Sequence, residues 1–343
     1  MEHIVQKRYQ SIELFAGAGG LALGLEQAGF DHRLLIEYDK WAAHTLRHNR
    51  PEWDVLETDI TTLDYALLSE QFSNESVDLL SGGYPCQAFS YAGKKLGLND
   101  TRGTLFYSYA KVLEMIKPKI FLAENVRGLL SHDKGRTLAT MVTLFSQVGY
   151  TVDYKILNAW HFGSAQKRER LVIIGVRNDL HHKANYTFPI PLETRKTLRD
   201  VLQNVPKSEY IPYSEKKAQV FRLVPPGGCW RNLPSDIAEA YMGKSFLSEG
   251  GRTGIARRLS WDEPALTVLC TPAQKQTERC HPDEIRPFTV RENARIQDFP
   301  DSWRFMGSTA QQYKQIGNAV PVTLAKSIGE SIHHFLDTIS HEP

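Results

Sequence analysis

The sequence has few cysteines and no long apolar run. Its 343 residues include four cysteines, Cys86, Cys229, Cys270 and Cys280, which form no C-x-x-C pair and no Cys/His group with zinc spacing. No stretch approaches the ~20 apolar residues of a membrane-spanning helix, and residues 1–10 lack the apolar core of a signal peptide. These absences argue against a disulfide framework, a bound metal and a membrane protein, and they predict a cytoplasmic location.

The charge of the chain is nearly balanced, with a formal net value of +2, but it is unevenly distributed. Residues 160–280 carry 19 Lys and Arg against 12 Asp and Glu, whereas residues 1–159 carry 16 against 19 and residues 281–343 carry 6 against 8. The middle third is therefore the part that suits a polyanion. A basic surface that contacts only solvent explains the charge alone equally well.

Strand-like and helix-like segments alternate in the first half of the chain. Helical spacing recurs between short apolar runs, which predict strands at residues 11–16, 32–37, 77–81, 120–123, 151–157 and 170–177. Helices are expected near residues 21–28, 41–49, 104–116 and 136–148, the second of them capped by Asp39. This order predicts an α/β fold with a doubly wound, mainly parallel sheet, whose ligands bind at the carboxyl ends of the strands.

The alternation ends near residue 185, which suggests three parts. Residues 1–185 form the first domain, and residues 186–290, rich in Pro, Gly and Ser and without a convincing long helix, form a smaller irregular one. Residues 291–343 return to helical spacing, and Asn318 suits the N-cap of the final helix. An apolar stripe predicts that this helix packs on the first domain; it contains Leu324, Ile328, Ile332 and Leu336.

A glycine-rich turn follows the first predicted strand. Gly17, Gly19 and Ala22 satisfy G-x-G-x-x-A, and Glu37 lies 20 residues after Gly17, at the end of the next strand. Glycines let the backbone approach a ligand, and a carboxylate at a strand end can accept hydrogen bonds from ribose hydroxyls. The pattern predicts a dinucleotide, another adenosine-containing ligand, or only a tight strand–helix turn.

Cys86 stands in Gly83-Tyr84-Pro85-Cys86-Gln87, directly after an apolar run. A thiol at the carboxyl end of a strand is placed for nucleophilic attack, because a cysteine with a pKa near ~8.5 is already partly thiolate at neutral pH. Taken alone, an isolated cysteine is more often a small buried apolar side chain.

Other polar groups lie at strand ends. Glu124 follows the strand at residues 120–123, where a carboxylate can hydrogen-bond or protonate a heterocycle, or can be an ordinary loop acid. Gln166, Arg168 and Arg170 alternate along an extended segment and therefore share one face. Two arginines on one face suit a phosphate or a base carbonyl, and a salt-bridged strand edge is the other interpretation.

Taken in order, these motifs resemble those of the DNA (cytosine-5)-methyltransferases of bacterial restriction-modification systems. The series is FAGAGG at residues 15–20, Glu37, Asp59-Ile60, GGYPCQAFS at 82–90, DTRGTLF at 100–106, ENV at 124–126, QKRER at 166–170 and GNAVP at 317–321. The match covers about residues 11–183 and 286–328. It implies the S-adenosylmethionine-dependent methyltransferase sheet beside a small target-recognition domain, with double-stranded DNA between them.

The resemblance implies a role for each motif residue. The cofactor would be S-adenosylmethionine, bound by Phe15, Gly17, Gly19, Gly20, Glu37, Asp59, Ile60, Pro85, Leu105 and Asn318. Cys86 would add to C6 of a flipped-out cytosine, Glu124 would bind N3 and the exocyclic amine, and Arg170, supported by Arg168, would hold O2. Residues 87–102 would form a loop that closes over DNA.

The DNA-binding set follows from the same resemblance. It contains residues of the closing loop, the QKRER motif and the middle domain: Gln87, Ser90, Lys94, Lys95, Gln166, Arg257, Arg258, Gln274 and Gln276. Residues 271–277 are expected to form a loop on the groove-facing surface. No metal is implied, the enzyme would act as a monomer, and a cognate restriction endonuclease is expected.

Three alternatives remain open at this stage. A tRNA cytosine-5 methyltransferase has the same scaffold, but its Cys-Phe-Thr tripeptide does not occur here. A nicotinamide-dependent oxidoreductase would explain Gly17 to Ala22 and Glu37, yet it leaves Cys86 and Glu124 without a role. A catalytically silent DNA-binding protein is disfavoured because both of those residues are intact.

Overall fold

The computed structural model describes residues 8–73, 76–85, 105–247, 254–272, 274–275 and 278–341. Its main feature is a seven-stranded sheet with the order β3-β2-β1-β4-β5-β8-β6. The strands along the chain are β1 (Tyr9–Leu14), β2 (Phe30–Glu37), β3 (Val55–Glu57), β4 (Leu79–Gly82), β5 (Ile120–Val126), β6 (Tyr150–Asn158), β7 (Gln166–Lys167) and β8 (Glu169–Arg177), of which β7 lies outside this sheet.

The sheet is parallel from β3 to β5, and β8 runs antiparallel to both β5 and β6. The α/β prediction of a doubly wound, mainly parallel sheet is therefore confirmed, and the sheet has the S-adenosylmethionine-dependent methyltransferase form. Because β1, β2, β4 and β5 point the same way, their carboxyl ends meet at one edge. The motif residues that follow these strands are brought together there.

Helices cover both faces of the sheet and build the C-terminal part. In chain order they are α1 (Gly20–Gln27), α2 (Lys40–Asn49), α3 (Tyr65–Gln71), α4 (Leu105–Ile116), α5 (Arg136–Gln147), α6 (Asn178–His181), α7 (Leu198–Val201), α8 (Glu215–Arg222), α9 (Ser235–Met242), α10 (Val290–Ile296), α11 (Thr309–Asn318) and α12 (Val322–His341). None of them has both the length and the apolar character needed to cross a membrane, within the described ranges.

The final helix packs on α1 and on the main sheet, as its apolar stripe predicts. All four stripe residues of α12 are no more than 1% exposed, and they share a core with α1 and with the sheet. Gly20 and Gly24 make this contact possible. A Cβ on Gly20 would lie 2.3 Å from the carbonyl oxygen of Val320, and one on Gly24 would lie 2.4 Å from Cβ of Ala325. Glycine is thus required here by helix packing.

Asn318 does not cap the final helix, so that prediction is wrong. It is the last residue of α11, whereas α12 starts at Val322. The sequence reading overlooked α11 because its polar residues give a weak apolar stripe. A capping box between Ser308 and Gln311 marks its start. The N-cap role of Asp39 is confirmed, since its side chain accepts from the amides of Trp41 and Ala42.

The middle of the chain contains two short parallel strand pairs. Strand β10 (Ala265–Leu266) pairs with β7, and β11 (Arg279–Cys280) pairs with β9 (Arg257–Arg258). A small separate core forms around Phe221, whereas Leu198, Leu259 and Val268 join a core shared with the C-terminal helices. The β7–β10 pair therefore connects the sheet-bearing part of the chain with the middle segment.

Candidate active site

The glycine turn between β1 and α1 has a left-handed backbone at three positions. The φ angles are 58° at Phe15, 55° at Gly17 and 87° at Gly19. A Cβ on Gly17 would meet no atom within 4 Å, so open space lies beside this residue. At Gly19 a Cβ would lie 2.8 Å from Leu46 and 2.9 Å from Trp303. Gly17 thus leaves room for a ligand, whereas Gly19 is required by packing.

Glu37 closes this turn from the end of β2. Its carboxylate accepts from the backbone N–H of Gly17 at 2.7 Å and from that of Asp39 at 2.6 Å. Burial raises the pKa of the Glu37 carboxyl, although the two amides oppose the shift. The side chain is 9% exposed. Such a fixed carboxylate beside an open backbone turn suits a hydroxyl-bearing ligand such as a ribose.

Tyr38 is a residue that the motif reading missed. Its side chain is 74% exposed, although it directly follows the buried Glu37 in the chain. An exposed aromatic ring can stack on a nucleobase. Its position directly after Glu37 at a strand end was the available sequence signal.

The other predicted cofactor residues lie on the segments around this edge. The carbonyl of Glu37 accepts from the amide of Thr58, which places Asp59 and Ile60 beside it. Ile60 is 3% exposed, and Asp59 accepts from the amide and hydroxyl of Thr61. Pro85 lies shortly after β4, and Leu105 is the first residue of α4. Asn318 is exposed, and its amide oxygen accepts from the thiol of Cys270 at 3.0 Å.

A carboxylate–guanidinium pair lies at the end of β5. Nε of Arg170 is 2.6 Å from Oε1 of Glu124, and the two side chains are 12% and 13% exposed. No described residue gives Oε1 of Glu124 a hydrogen bond of good geometry, so its interaction in the free protein is the ion pair with Arg170. A buried carboxylate oxygen gains free energy when a well-directed donor reaches it. The pair is therefore suited to bind a polar group from a ligand.

The turn after β4 is fixed against this pair. Nδ2 of Asn125 donates to the carbonyl of Tyr84 at 2.9 Å, and the ring of Tyr84 packs on Phe106 at a centroid distance of 5.5 Å. A Cβ on Gly83 would lie 2.8 Å from Oε2 of Glu124, so only glycine lets the turn come this close. Cys86 follows this turn but lies outside the described residues, as do Gln87, Ser90, Lys94, Lys95, Gln276 and the predicted closing loop.

Arg168 and Gln166 are buried and have structural partners. Arg168 is 1% exposed and donates to the carbonyls of Val268 and Gly317, at 2.9 and 2.8 Å. Burial lowers the pKa of its guanidinium to about 9. Gln166 is fully buried among Val268, Ile296 and Gln297.

This burial corrects the expectation that Gln166 contacts DNA, and it leaves Arg168, which is expected to support Arg170, without direct access to a ligand. Both side chains point into the junction between β7–β8 and the later segments, so only Arg170 of the three remains beside Glu124. Strand alternation does not show that this face is covered. Arg168 lies under Val268 and Gly317, which are about 100 and 150 residues later in the sequence.

The predicted DNA-binding residues of the middle segment fall into two groups. Arg258 donates to the carbonyls of Pro282, Val224 and Asp283, so its guanidinium is committed to the fold. Gln274 is exposed, and Arg257 is half-buried beside Glu263. Arg258 therefore holds the domain together, which departs from the DNA contact expected for it.

An open cleft of about 490 Å³ adjoins Arg170. It is lined by residues from β5, β7, β8 and the segment after β10, including Val126, Arg127, Lys167, Arg170 and Thr267. Three cationic side chains and one carboxylate, Glu169, line this cleft, and Glu169 is ion-paired with Arg127 at 2.7 Å. The remaining positive charge suits a polyanionic ligand. In the parts of the chain that the structure describes, no three His, Cys, Asp or Glu side chains gather as metal ligands would.

These features define a class: a methyltransferase-type sheet with a nucleoside-type pocket beside a carboxylate–guanidinium pair. The model of the C-5 cytosine-specific DNA methylases matches residues 9–334, and the chain belongs to this family. It is a DNA (cytosine-5)-methyltransferase, and S-adenosylmethionine is its methyl donor.

Relatives agree over nearly the whole chain. The Type II methyltransferase M.Sau96I of Staphylococcus aureus is 58% identical over 96% of this chain and 77% of its own length. The Type II methyltransferase M.Eco47II of Escherichia coli is 55% identical over 97% of this chain and 80% of its own.

Two solved structures share the fold. A DNA modification methyltransferase encoded within an E. coli prophage has a TM-score of 0.71 at 26% identity, covering 96% of this chain and 99% of that one. The Dnmt2 methyltransferase of S. pombe has a TM-score of 0.66 at 18% identity, covering 96% and 99%. At that identity the second shows a common fold alone.

Proposed function

We propose that this enzyme methylates C5 of a cytosine flipped out of a short specific sequence in double-stranded DNA, through a transient bond between Cys86 and C6. C5 of an aromatic cytosine is a poor nucleophile. Addition of the thiolate at C6 makes C5 enamine-like, so that it can take a methyl group. When C5 takes the methyl group, the donor is left as S-adenosylhomocysteine. Transfer of the C5 proton to a base then breaks the S–C6 bond, which releases the Cys86 thiolate and gives 5-methylcytosine. The observation that carries this proposal is the Glu124–Arg170 pair beside the turn that leads to Cys86.

Glu124 would limit negative charge on the ring while the thiolate adds. Its Oε1 is ion-paired with Arg170 but receives no well-directed hydrogen bond from the described residues, so it can bind N3 or the exocyclic amine of cytosine. Arg170 would donate to O2 from the other side of the carboxylate. Because both side chains are about one-tenth exposed, their interactions with the base would be stronger than in water.

S-adenosylmethionine supplies the electrophilic methyl group when bound. Gly17 leaves open space for it, Glu37 would accept from its ribose hydroxyls, and the exposed ring of Tyr38 would stack on its adenine. Phe15, Asp59, Ile60, Pro85, Leu105 and Asn318 would complete the pocket. Gly19 and Gly20 would affect cofactor binding indirectly, because close packing at both glycines fixes the shape of the turn.

Three buried side chains would position the reacting groups without touching them. Asn125 holds the carbonyl of Tyr84, two residues before Cys86, at 2.9 Å. Gln166 and Arg168 join β7 and β8 to Val268 and to the end of α11. Together they would set the width of the cleft in which DNA lies.

A thiol cannot reach C6 inside a stacked duplex, so the target base would have to leave the helix at a cost of a few kcal/mol. Residues 87–102, with Gln87, Ser90, Lys94 and Lys95, would close over the DNA. The middle domain, residues 186–290, would read the sequence, with Gln274 and Gln276 on its groove-facing loop.

The biological setting follows from the relatives. Two of them are named Type II methyltransferases, and such modification protects host DNA from a cognate restriction endonuclease. We extend this protective role to the present enzyme, acting in the cytoplasm as a monomer.

A plasmid methylation assay tests the proposal. After incubation with enzyme and S-adenosylmethionine, bisulfite sequencing should reveal methylcytosine within one short sequence. Glu124→Gln should lower turnover by ~10²–10⁴-fold, since it removes a general acid–base group. Glu57→Gln is the matched control, because Glu57 forms only an exposed ion pair with Arg47. Absence of methylcytosine in every sequence, or an unchanged Glu124→Gln rate, would contradict the proposal.

A further inference from the structure

Strands β9 and β11 place two arginines side by side. The parallel register pairs Arg257 with Arg279 and Arg258 with Cys280. Cys280 is fully buried in the small core, and Arg258 is bound to three carbonyls. Because side chains alternate along strands, Arg257 and Arg279 share the opposite face. Neighbouring like charges are unfavourable in the free protein, so this placement calls for an explanation.

Backbone groups hold one of these guanidiniums in a fixed orientation. Nη1 of Arg279 donates to the carbonyls of Gly254 and Glu278, both at 2.8 Å. Nη2 of Arg257 lies 3.2 Å from Oε2 of Glu263, a side chain that is 58% exposed. Nε of each arginine is buried, and no described residue accepts a hydrogen bond from it. The free protein therefore keeps two partly covered guanidiniums side by side, and their Nη atoms are the donors left for a ligand.

The nearby buried carboxylate has other partners. Glu278 is fully buried, and Nζ of Lys217 lies 2.7 Å from its Oε2. Its Oε1 accepts from the hydroxyl of Tyr241 at 2.8 Å and from the amide of Ala256 at 2.9 Å. Burial, together with the charge of Arg257, lowers the pKa of Arg279, and the charge of Glu278 opposes this shift. Among the described residues, the exposed Glu263 is the carboxylate that forms an ion pair with Arg257.

We propose that Arg257 and Arg279 read a guanine of the target sequence by donating to its O6 and N7 in the major groove. This assignment rests on the proposed function. Arginine Nη donors match the two acceptors on the guanine edge, which is the commonest specific arginine contact with DNA. A phosphate accepts from the same donors, and the salt dependence measured below separates that contact from a guanine contact. When DNA binds, Arg257 would either leave its ion pair with Glu263 or contact Glu263 and the guanine at the same time.

Base-analogue substitution combined with Arg→Lys variants tests this inference. The wild type first defines its sequence by methylation of a random duplex library, and each guanine is then replaced by 7-deazaguanine, which lacks N7. At one guanine the replacement should lower kcat/KM by ~5–100-fold, the usual range for one bidentate contact. Arg257→Lys and Arg279→Lys should cause a loss of similar size and relax selection at that position. In these variants, 7-deazaguanine should add little further loss.

Arg199→Lys is the matched control, because Arg199 forms an exposed ion pair with Asp262 at 2.9 Å. It should keep the wild-type response to every analogue. The inference is overturned if no 7-deazaguanine affects the wild type, a result that needs no variant to fold. It is also overturned if the analogue penalty is the same in wild type and variants. A uniform loss across sequences with a smaller salt dependence would instead assign the pair to phosphate and overturn the guanine contact. Failure of the wild type to methylate any cytosine would refute the proposed function itself.

Discussion

Gly83→Ala should separate activity from stability. The added Cβ would lie 2.8 Å from Oε2 of Glu124, which is too close for two non-bonded atoms. Ordinary contact begins near ~3.4 Å, so the carboxylate would have to move by roughly 0.6 Å. The backbone at Gly83 has no positive φ, and alanine is compatible with it. Strain should therefore fall on the carboxylate and leave the main chain largely unaffected.

The expected size of the effect follows from this displacement. A shift of about 1 Å in a catalytic group can cost ~100-fold in rate, so a shift of roughly 0.6 Å should cost about 10-fold. This corresponds to about 1.4 kcal/mol in the activation free energy. The variant should stay close to the wild type in melting temperature, because replacing Gly by Ala also restricts the unfolded chain.

Transfer of labelled methyl groups to duplex DNA measures the rate, and thermal denaturation measures stability. Ser146→Ala is the control, since this exposed hydroxyl donates to the carbonyl of Val142 within α5. It should behave as the wild type in both assays. The reasoning is refuted if Gly83→Ala turns over as fast as the wild type, or if its rate falls only as far as its folded fraction does.

Three further substitutions test other parts of the structure. Gly20→Ala should destabilise the fold by about 1–3 kcal/mol in urea denaturation, because its Cβ would lie 2.3 Å from the carbonyl oxygen of Val320; an unchanged midpoint would contradict the packing of α12. Arg168→Lys should cost about 1–3 kcal/mol, since an ammonium cannot donate to both carbonyls that Arg168 binds, and the same measurement checks it. Burial raises the pKa of Glu13 from 4.5 to about 8, so its contribution to stability is complete below pH 4.5 and is lost as pH rises through 8. Glu13→Gln should therefore gain stability relative to the wild type between pH 5 and 8, by up to ~4 kcal/mol; parallel stability profiles would count against this.

Local patterns in the sequence were sufficient for the sheet and for its ligand-binding edge. Short apolar runs predicted every strand of the main sheet except β3, which has only three residues. The placement of Gly17, Glu37 and Glu124 at strand ends followed from the same runs. These features depend on residues close together in sequence, so pattern and spacing could identify them.

Features that depend on distant contacts could not be predicted in this way. Strand alternation predicted that Gln166, Arg168 and Arg170 share one face. It could not predict that Val268 and Gly317, which are distant in sequence, accept hydrogen bonds from Arg168. Asn318 has good N-cap chemistry, yet tertiary packing made it the end of α11. The pairing of Arg257 with Arg279 arises between two strands of two residues each, which have no periodicity to detect.

The most direct measurement of the central claim is covalent capture of the target base. A duplex that contains 5-fluorocytosine at the methylated position is incubated with the enzyme and S-adenosylmethionine, and the trapped peptide is sequenced by mass spectrometry. Fluorine cannot leave C5 as the proton does, so the account predicts a stable adduct on Cys86 that Cys86→Ser abolishes. No adduct on an active enzyme, or an adduct on Cys270, would contradict it.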